Sequence, residues 1–185
     1  MQADLLILVA IPGGILLVLL MWVIGTLNRL TRLKLLVKES WAQVDVALKR
    51  RYDLIPNLVE TCRAYAAHER DVFERVIQAR NRAVSAGGHT DEENAMVVSV
   101  NRMLARAEAY PELRSNEHFL ELQRELASTE DRIAAARRFY NANVRDYNTA
   151  QEQFPTSLLA GGHSPASFFE VEEVAVRQPA AVQFG

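Results

Sequence analysis

The chain has 185 residues, a formal net charge of −2 and an apolar fraction of 49%, which leaves room for one compact domain of about 100 to 150 residues beside one membrane segment. Its single cysteine, Cys62, excludes an intrachain disulfide and a cysteine-based metal site and fits a reducing compartment. Charge is unevenly placed: Arg29, Arg32, Lys34, Lys38, Lys49, Arg50 and Arg51 stand against Glu39 and Asp45, whereas the chain from Tyr52 onward is net acidic and would repel a nucleic acid.

No charged side chain occurs from Leu5 to Leu27. As a helix that run would be roughly 34 Å long, enough to cross a hydrocarbon core of about 30 Å. Residues 1–4 lack a basic start and no Ala-x-Ala-like site follows the run, so the reading is an uncleaved transmembrane helix over 5–27, not a leader. Pro12, Gly13 and Gly14 interrupt it and predict a local bend. Asp4 is the only side-chain charge before the run. The positive-inside rule therefore puts the short segment 1–4 outside and the main domain in the cytoplasm, on a single span of the cell inner membrane. Arg29, Arg32, Lys34 and Lys38 would face an anionic inner leaflet, which makes the lipid bilayer the first expected partner.

From Asn28 the pattern is amphipathic and helical. Leu48, Tyr52, Ile55, Val59, Cys62 and Ala66 step by three and four, a coiled-coil-like seam, and Phe73 and Val76 rejoin it after a polar break at Glu69. The seam keeps its phase across Pro56, which predicts one long kinked helix over 28–84 rather than two separate ones. Asp53, Pro56 and Asn57 together look like a purposeful irregularity: proline frees a backbone carbonyl that the Asn57 side chain could satisfy.

Ser85 to Thr90 (SAGGHT) predicts a turn. Thr90 and Glu93 then form a capping-box pattern opening a helix over 91–109, with Met96, Val100, Met103 and Ala107 on one side. Tyr110 and Pro111 end it, and Ser115 or Asn116 can cap a helix over 117–153. That helix has the most regular pattern in the chain: Phe119, Leu122, Leu126, Thr129, Ile133, Ala136, Tyr140, Asn143 and Tyr147. Pro155 stops it. The remainder, 155–185, is punctuated by Gly161, Gly162, Pro165 and Pro179 and reads as an irregular tail that docks on the bundle through Phe168 and Phe169. The fold class is all-α: one N-terminal transmembrane helix continuing into a long kinked helix of an antiparallel bundle occupying 28–154.

Trp41 to Val59 (WAQVDVALKRRYDLIPNLV), Tyr65 with Ala66, Ala67 and His68, Ala79 to Ala83 (ARNRA), Tyr110 with Pro111 and Leu113, Asn116 with Phe119, and Arg137 to Asn141 (RRFYN) form a set that resembles the LemA family. Tyr147 with Asn148, Phe154 with Pro155, and the tail with Phe168, Phe169 and Phe184 extend the likeness to nearly the full chain. The resemblance implies a bacterial membrane protein with one N-terminal span and a helical-bundle domain, in a family without an established enzymatic activity. Some of its members are associated with intracellular membrane compartments. The sequence departs from the family pattern at His163, beside Gly162, where an aromatic residue is expected.

The sequence offers little catalytic chemistry. A di-metal bundle site needs Glu-x-x-His pairs, but Tyr65 and Ser115 stand three residues before His68 and His118. His68 and Glu69 begin like a zinc-protease helix, and Val72 occupies the place of the second histidine. Gly162, His163, Ser164, Pro165 and Ala166 faintly echo a nucleophile elbow without the strand it requires. Neither phosphate loop nor dinucleotide fingerprint occurs. No catalytic residue, metal ligand or cofactor is assigned. The residues singled out are Trp41, Asp45, Lys49, Arg50, Arg51, Asp53, Pro56 and Asn57, as interaction or structural positions. On a straight helix Lys49 would lie about 30 Å beyond Leu27, too far for the bilayer, so Arg50 or Arg51 is expected to pair with Asp45, with Asp53 or with an acid of the 117–153 helix, the alternative being contact with another subunit. The leading expectation is a membrane-anchored, non-enzymatic scaffold or adaptor that binds itself or a membrane protein. The alternative is an accessory or regulatory subunit of a protease or transporter.

Overall fold

A computed structural model describes residues 2–88 and 90–169. Five α-helices follow one another: α1 Gln2–Tyr65, α2 Arg70–Ser85, α3 Thr90–Ala107, α4 Pro111–Arg114 and α5 Glu117–Glu152. Two 3-10 turns, Thr156–Leu158 and Ala160–Gly162, come after α5. The described residues contain no strand, so the protein is all-α. Two compact units divide the chain, one of residues 1–44 with 134–168 and the other of 45–133 with the residues from 169 on. Both α1 and α5 contribute to each.

In the first unit α1 and α5 are antiparallel. The edge of the Trp41 ring meets Tyr140 with 5.2 Å between centroids, whereas Leu30 packs with Ala150 and Ala160, with Leu33 half-buried beside them. Going back along α1 from Trp41 to Leu30 thus corresponds to going forward along α5 from Tyr140 to Ala150. Beyond this packed stretch α1 changes character. Ile15 to Met21 are all more than half exposed, and a helix that is apolar all round yet buried against none of the described residues has the surface lipid requires. This is the one described helix long and apolar enough to cross a membrane.

The start of the tail docks on α5 in the same unit. The Tyr140 hydroxyl donates to the Ser167 carbonyl at 2.8 Å. Asn148 donates through Nδ2 to the Ala166 carbonyl and accepts from the Ala166 amide through Oδ1, both at 2.9 Å. An amide side chain thereby stands in for one backbone partner of an irregular strand of chain. His163 sets its ring 6.5 Å from that of Tyr147, so the residue that departs from the family pattern still supplies a planar ring. Residues 170–185, including Pro179 and Phe184, lie outside the described residues.

The second unit corrects the expected helix over 28–84. The seam residues Leu48, Tyr52, Ile55, Val59, Cys62 and Ala66 are buried, and α1 remains helical through Pro56. It ends at Tyr65, however, and α2 starts at Arg70. Glu69 explains the break: a carboxylate stands where the seam needs an apolar residue, and its carbonyl accepts the Val72 and Phe73 amides at 3.0 and 3.3 Å to open α2. Reversal lets Phe73, Val76, Ala79 and Ala83 bury themselves from a second helix, with the Arg63 guanidinium 6.0 Å from the Phe73 ring centre.

Gly87 and Gly88 end the next connection with φ of 62° and 86°, the left-handed region that other residues enter only at a cost. His89 and the Thr90 side chain, half of the expected capping box, lie outside the described residues. On α3, Met96, Val100, Met103 and Ala107 are buried as its periodicity requires. Pro111 opens α4, where its missing N–H costs nothing. Asn116 caps α5: its Oδ1 accepts the Phe119 amide at 2.9 Å, and its Nδ2 donates to the Tyr65 hydroxyl at 3.0 Å. Phe119, Leu122, Leu126, Thr129 and Ile133 then face the core.

Candidate interaction site around Arg51

The sequence places three cations in a row at Lys49, Arg50 and Arg51, and helix geometry sends consecutive residues about 100° apart. Lys49 is exposed. Arg50 is 57% exposed and ion-pairs with Glu125 of α5. Arg51, with 5% of its side chain exposed, turns inward and reaches two helices at once. Its Nη1 donates to both carboxylate oxygens of Glu130 on α5, at 2.9 and 3.1 Å, and its Nη2 pairs with Glu93 on α3.

Glu93 is the residue that sequence reasoning missed. Its position, three after Thr90, fits a capping box, but its carboxylate is buried and also accepts the Tyr52 hydroxyl. Burial pushes the Tyr52 hydroxyl pKa above its ordinary value, an effect that neighbouring Arg51 partly offsets. The fixed charges of this node are thus one guanidinium between two carboxylates. Glu130 remains 43% exposed, so water shares the cost of the second negative charge.

Pro56 acts one turn further on. Lacking an N–H, it cannot donate to the carbonyl four residues back, at Tyr52. Arg80 of α2 fills that role, its Nε donating to the Tyr52 carbonyl at 3.2 Å while its Nη1 reaches Asn81. The expectation that the Asn57 side chain satisfies the freed carbonyl is therefore corrected. Asn57, Asp53 and Pro56 itself are exposed, and the carbonyl of Asn57 accepts the Thr61 hydroxyl at 2.9 Å. Asp45 is exposed too, and both arginines pair instead with acids of α5 and α3. Trp41 belongs to the other unit, on Tyr140. Arg29, Arg32, Lys34 and Lys38 are exposed along α1.

A cavity of about 150 Å³ adjoins the node, lined by Arg51, Ile55, Met96, Val97, Val100, Asn101, Leu126 and Glu130. Drug-sized ligands and cofactors occupy pockets of about 300 to 1,000 Å³, so this one has room for a few waters or a very small molecule. Among the described residues no three His, Cys, Asp or Glu side chains gather as a metal site would need. Burial pushes the Cys62 thiol up to about 11, which keeps it protonated and unreactive at neutral pH. What the arrangement does chemically is lock three helices together through charge.

An all-α chain with one apolar helix of membrane-crossing length, whose same helix carries an ion-paired bundle, is the class of protein these features define. It belongs to the LemA family, whose model matches residues 40–184. Magnetosome protein MamQ of Magnetospirillum gryphiswaldense is 26% identical over 145 residues, covering 63% of this chain and 53% of the relative. Magnetosome proteins MamQ 1 and MamQ 2 of Paramagnetospirillum magneticum are each 26% identical over 157 residues, covering 68% of this chain and 58% of theirs. The chain thus spans a little over half the length of the curated relatives it matches.

Proposed function

We propose that this protein is a membrane-anchored, non-enzymatic helical scaffold: α1 fixes it in the inner membrane, and its bundle assembles with further copies of itself or with membrane proteins on the cytoplasmic side. The observation that carries the reading is α1 itself. One unbroken helix presents exposed Ile15 to Met21 at one end and supplies buried Leu48, Ile55 and Leu58 to a core at the other, so anchor and body are joined with no loop between them. The basic residues Arg29, Arg32, Lys34 and Lys38 after the apolar run support the cytoplasmic orientation. Relatives named for the magnetosome lend support to a role in membrane organisation. The node at Arg51 supports a structural rather than catalytic use of its charges, since each is committed to a partner on another helix.

Extraction in a mild detergent tests the reading. Large homo-oligomers that survive size-exclusion chromatography are the expected result. Recovery of a monomer bound one-to-one to a foreign protease or transporter would replace it with the accessory-subunit reading.

A further inference from the structure

Two of the most exposed apolar side chains in the protein are not in the apolar run. Phe154 is 80% exposed and Leu158 is 72% exposed, and both lie in the loop that follows α5. In water such a pair, uncovered by any of the described residues, is costly. Its position in the first unit says what covers it. Ala150 and Ala160, on either side of the loop, both pack on Leu30 of α1, so the loop is pinned there at both ends. α5 runs antiparallel to α1, so the chain beyond Ala150 leads toward the membrane run. Within that run Thr26 is only 9% exposed although Ile24, two residues before it, is 51% exposed. The apolar run ends at Leu27.

We propose that Phe154 and Leu158 form a second foothold, inserting into the acyl-headgroup boundary of the same leaflet from which α1 emerges. The inference rests on the anchored reading of α1 given above. Two features commit the site to lipid rather than to protein. Its loop is seated on Leu30, just past the end of the apolar run at Leu27. Arg29 and Arg32, which flank Leu30 in sequence, are exposed on α1 and supply positive charge for an anionic headgroup, while exposed Glu152 at the end of α5 is the acid nearest the loop in sequence. Aromatic and aliphatic side chains next to cations are what a membrane interface retains. A protein held by one helix could swivel about it. A second foothold removes that freedom from the end of α5 that carries it.

The test uses the full chain carrying Cys62→Ala, reconstituted in vesicles of three parts phosphatidylcholine to one part phosphatidylglycerol. Single cysteines introduced as Phe154→Cys, Leu158→Cys, Ile15→Cys or Phe139→Cys are labelled with an environment-sensitive fluorophore. Lipids bearing a nitroxide high on the acyl chain supply the quencher. Ile15 reports the span. Phe139, 49% exposed, sits on α5 about 20 Å back from the C-terminal end of that helix and reports solvent. The expected result is quenching at 154 and 158 at least half as strong as at 15, with little at 139. Quenching at 15 without quenching at 154 and 158 overturns the foothold and leaves the anchor standing, and a blue-shifted but unquenched label at 154 would assign the patch to a second copy or another protein. Absence of quenching at all four positions removes the anchor as well.

Discussion

Arg51 is worth more to this protein than the arginine beside it, because burial decides what an ion pair contributes. Truncating one partner of a buried pair strands the other charge, at about 3 to 5 kcal/mol, whereas an exposed pair such as Arg50 with Glu125 contributes about 0 to 1 kcal/mol. Arg51→Met is therefore expected to lower the unfolding free energy by several-fold more than Arg50→Ala, read by thermal and denaturant melts of the detergent-solubilised chain. Equal effects would show that the node at Glu93 and Glu130 is not what holds the helices together. The buried tyrosines set a limit at high pH. Burial raises Tyr52, Tyr140 and Tyr147 above their usual value of 10.0, so the folded state holds these protons more tightly than the unfolded chain does. Their contribution is complete below about pH 10 and is lost as pH rises through the folded values. Circular dichroism should show a melting temperature that is unaffected by these tyrosines near pH 8 and falls above pH 10. Tyr52→Phe should blunt that fall.

Among the elements, α1 shows how far a sequence pattern reaches. The three-and-four spacing of Leu48, Tyr52, Ile55, Val59 and Cys62 identifies the buried face correctly, because burial on one face of a helix leaves a local, periodic trace. The same pattern hides the end of α1 at Tyr65. Phe73 and Val76 resume a compatible phase from a helix that has reversed direction, and periodicity does not record direction. The roles of Glu93 and Arg80 were out of reach for a related reason. Glu93 occupies a position that a local capping box also explains, and Arg80 finds the Tyr52 carbonyl only after α2 has folded back. In the node, Arg50 and Arg51 were legible as structural cations because charged triplets inside an amphipathic helix need partners, but which acid each reaches is a property of packing. The helix at Pro56 offers a quantitative check. Arg80→Ala leaves the Tyr52 carbonyl without its donor, at about 1 kcal/mol or more. In a Pro56→Ala background the helix can supply its own N–H, so the same truncation should cost distinctly less. A double-mutant cycle on melting free energies should give a coupling of about 0.5 to 1 kcal/mol, and strict additivity would mean that Arg80 does not substitute for the missing proline donor.

At the level of the whole molecule, an exposed apolar helix of membrane-crossing length continues into an ion-paired bundle, and the proposed function lies in that connection rather than in a pocket. The LemA family match covers residues 40–184, while the apolar run lies before it, so the anchor is argued from this chain's own composition and exposed surface. Washing the membranes of expressing bacterial cells with alkaline carbonate, then probing for the full-length chain, tests that claim most directly. The account predicts that the intact polypeptide stays in the membrane pellet. Release of the protein into the wash, or its recovery as a soluble species that begins beyond Thr26 and so lacks the membrane-length run, would contradict it.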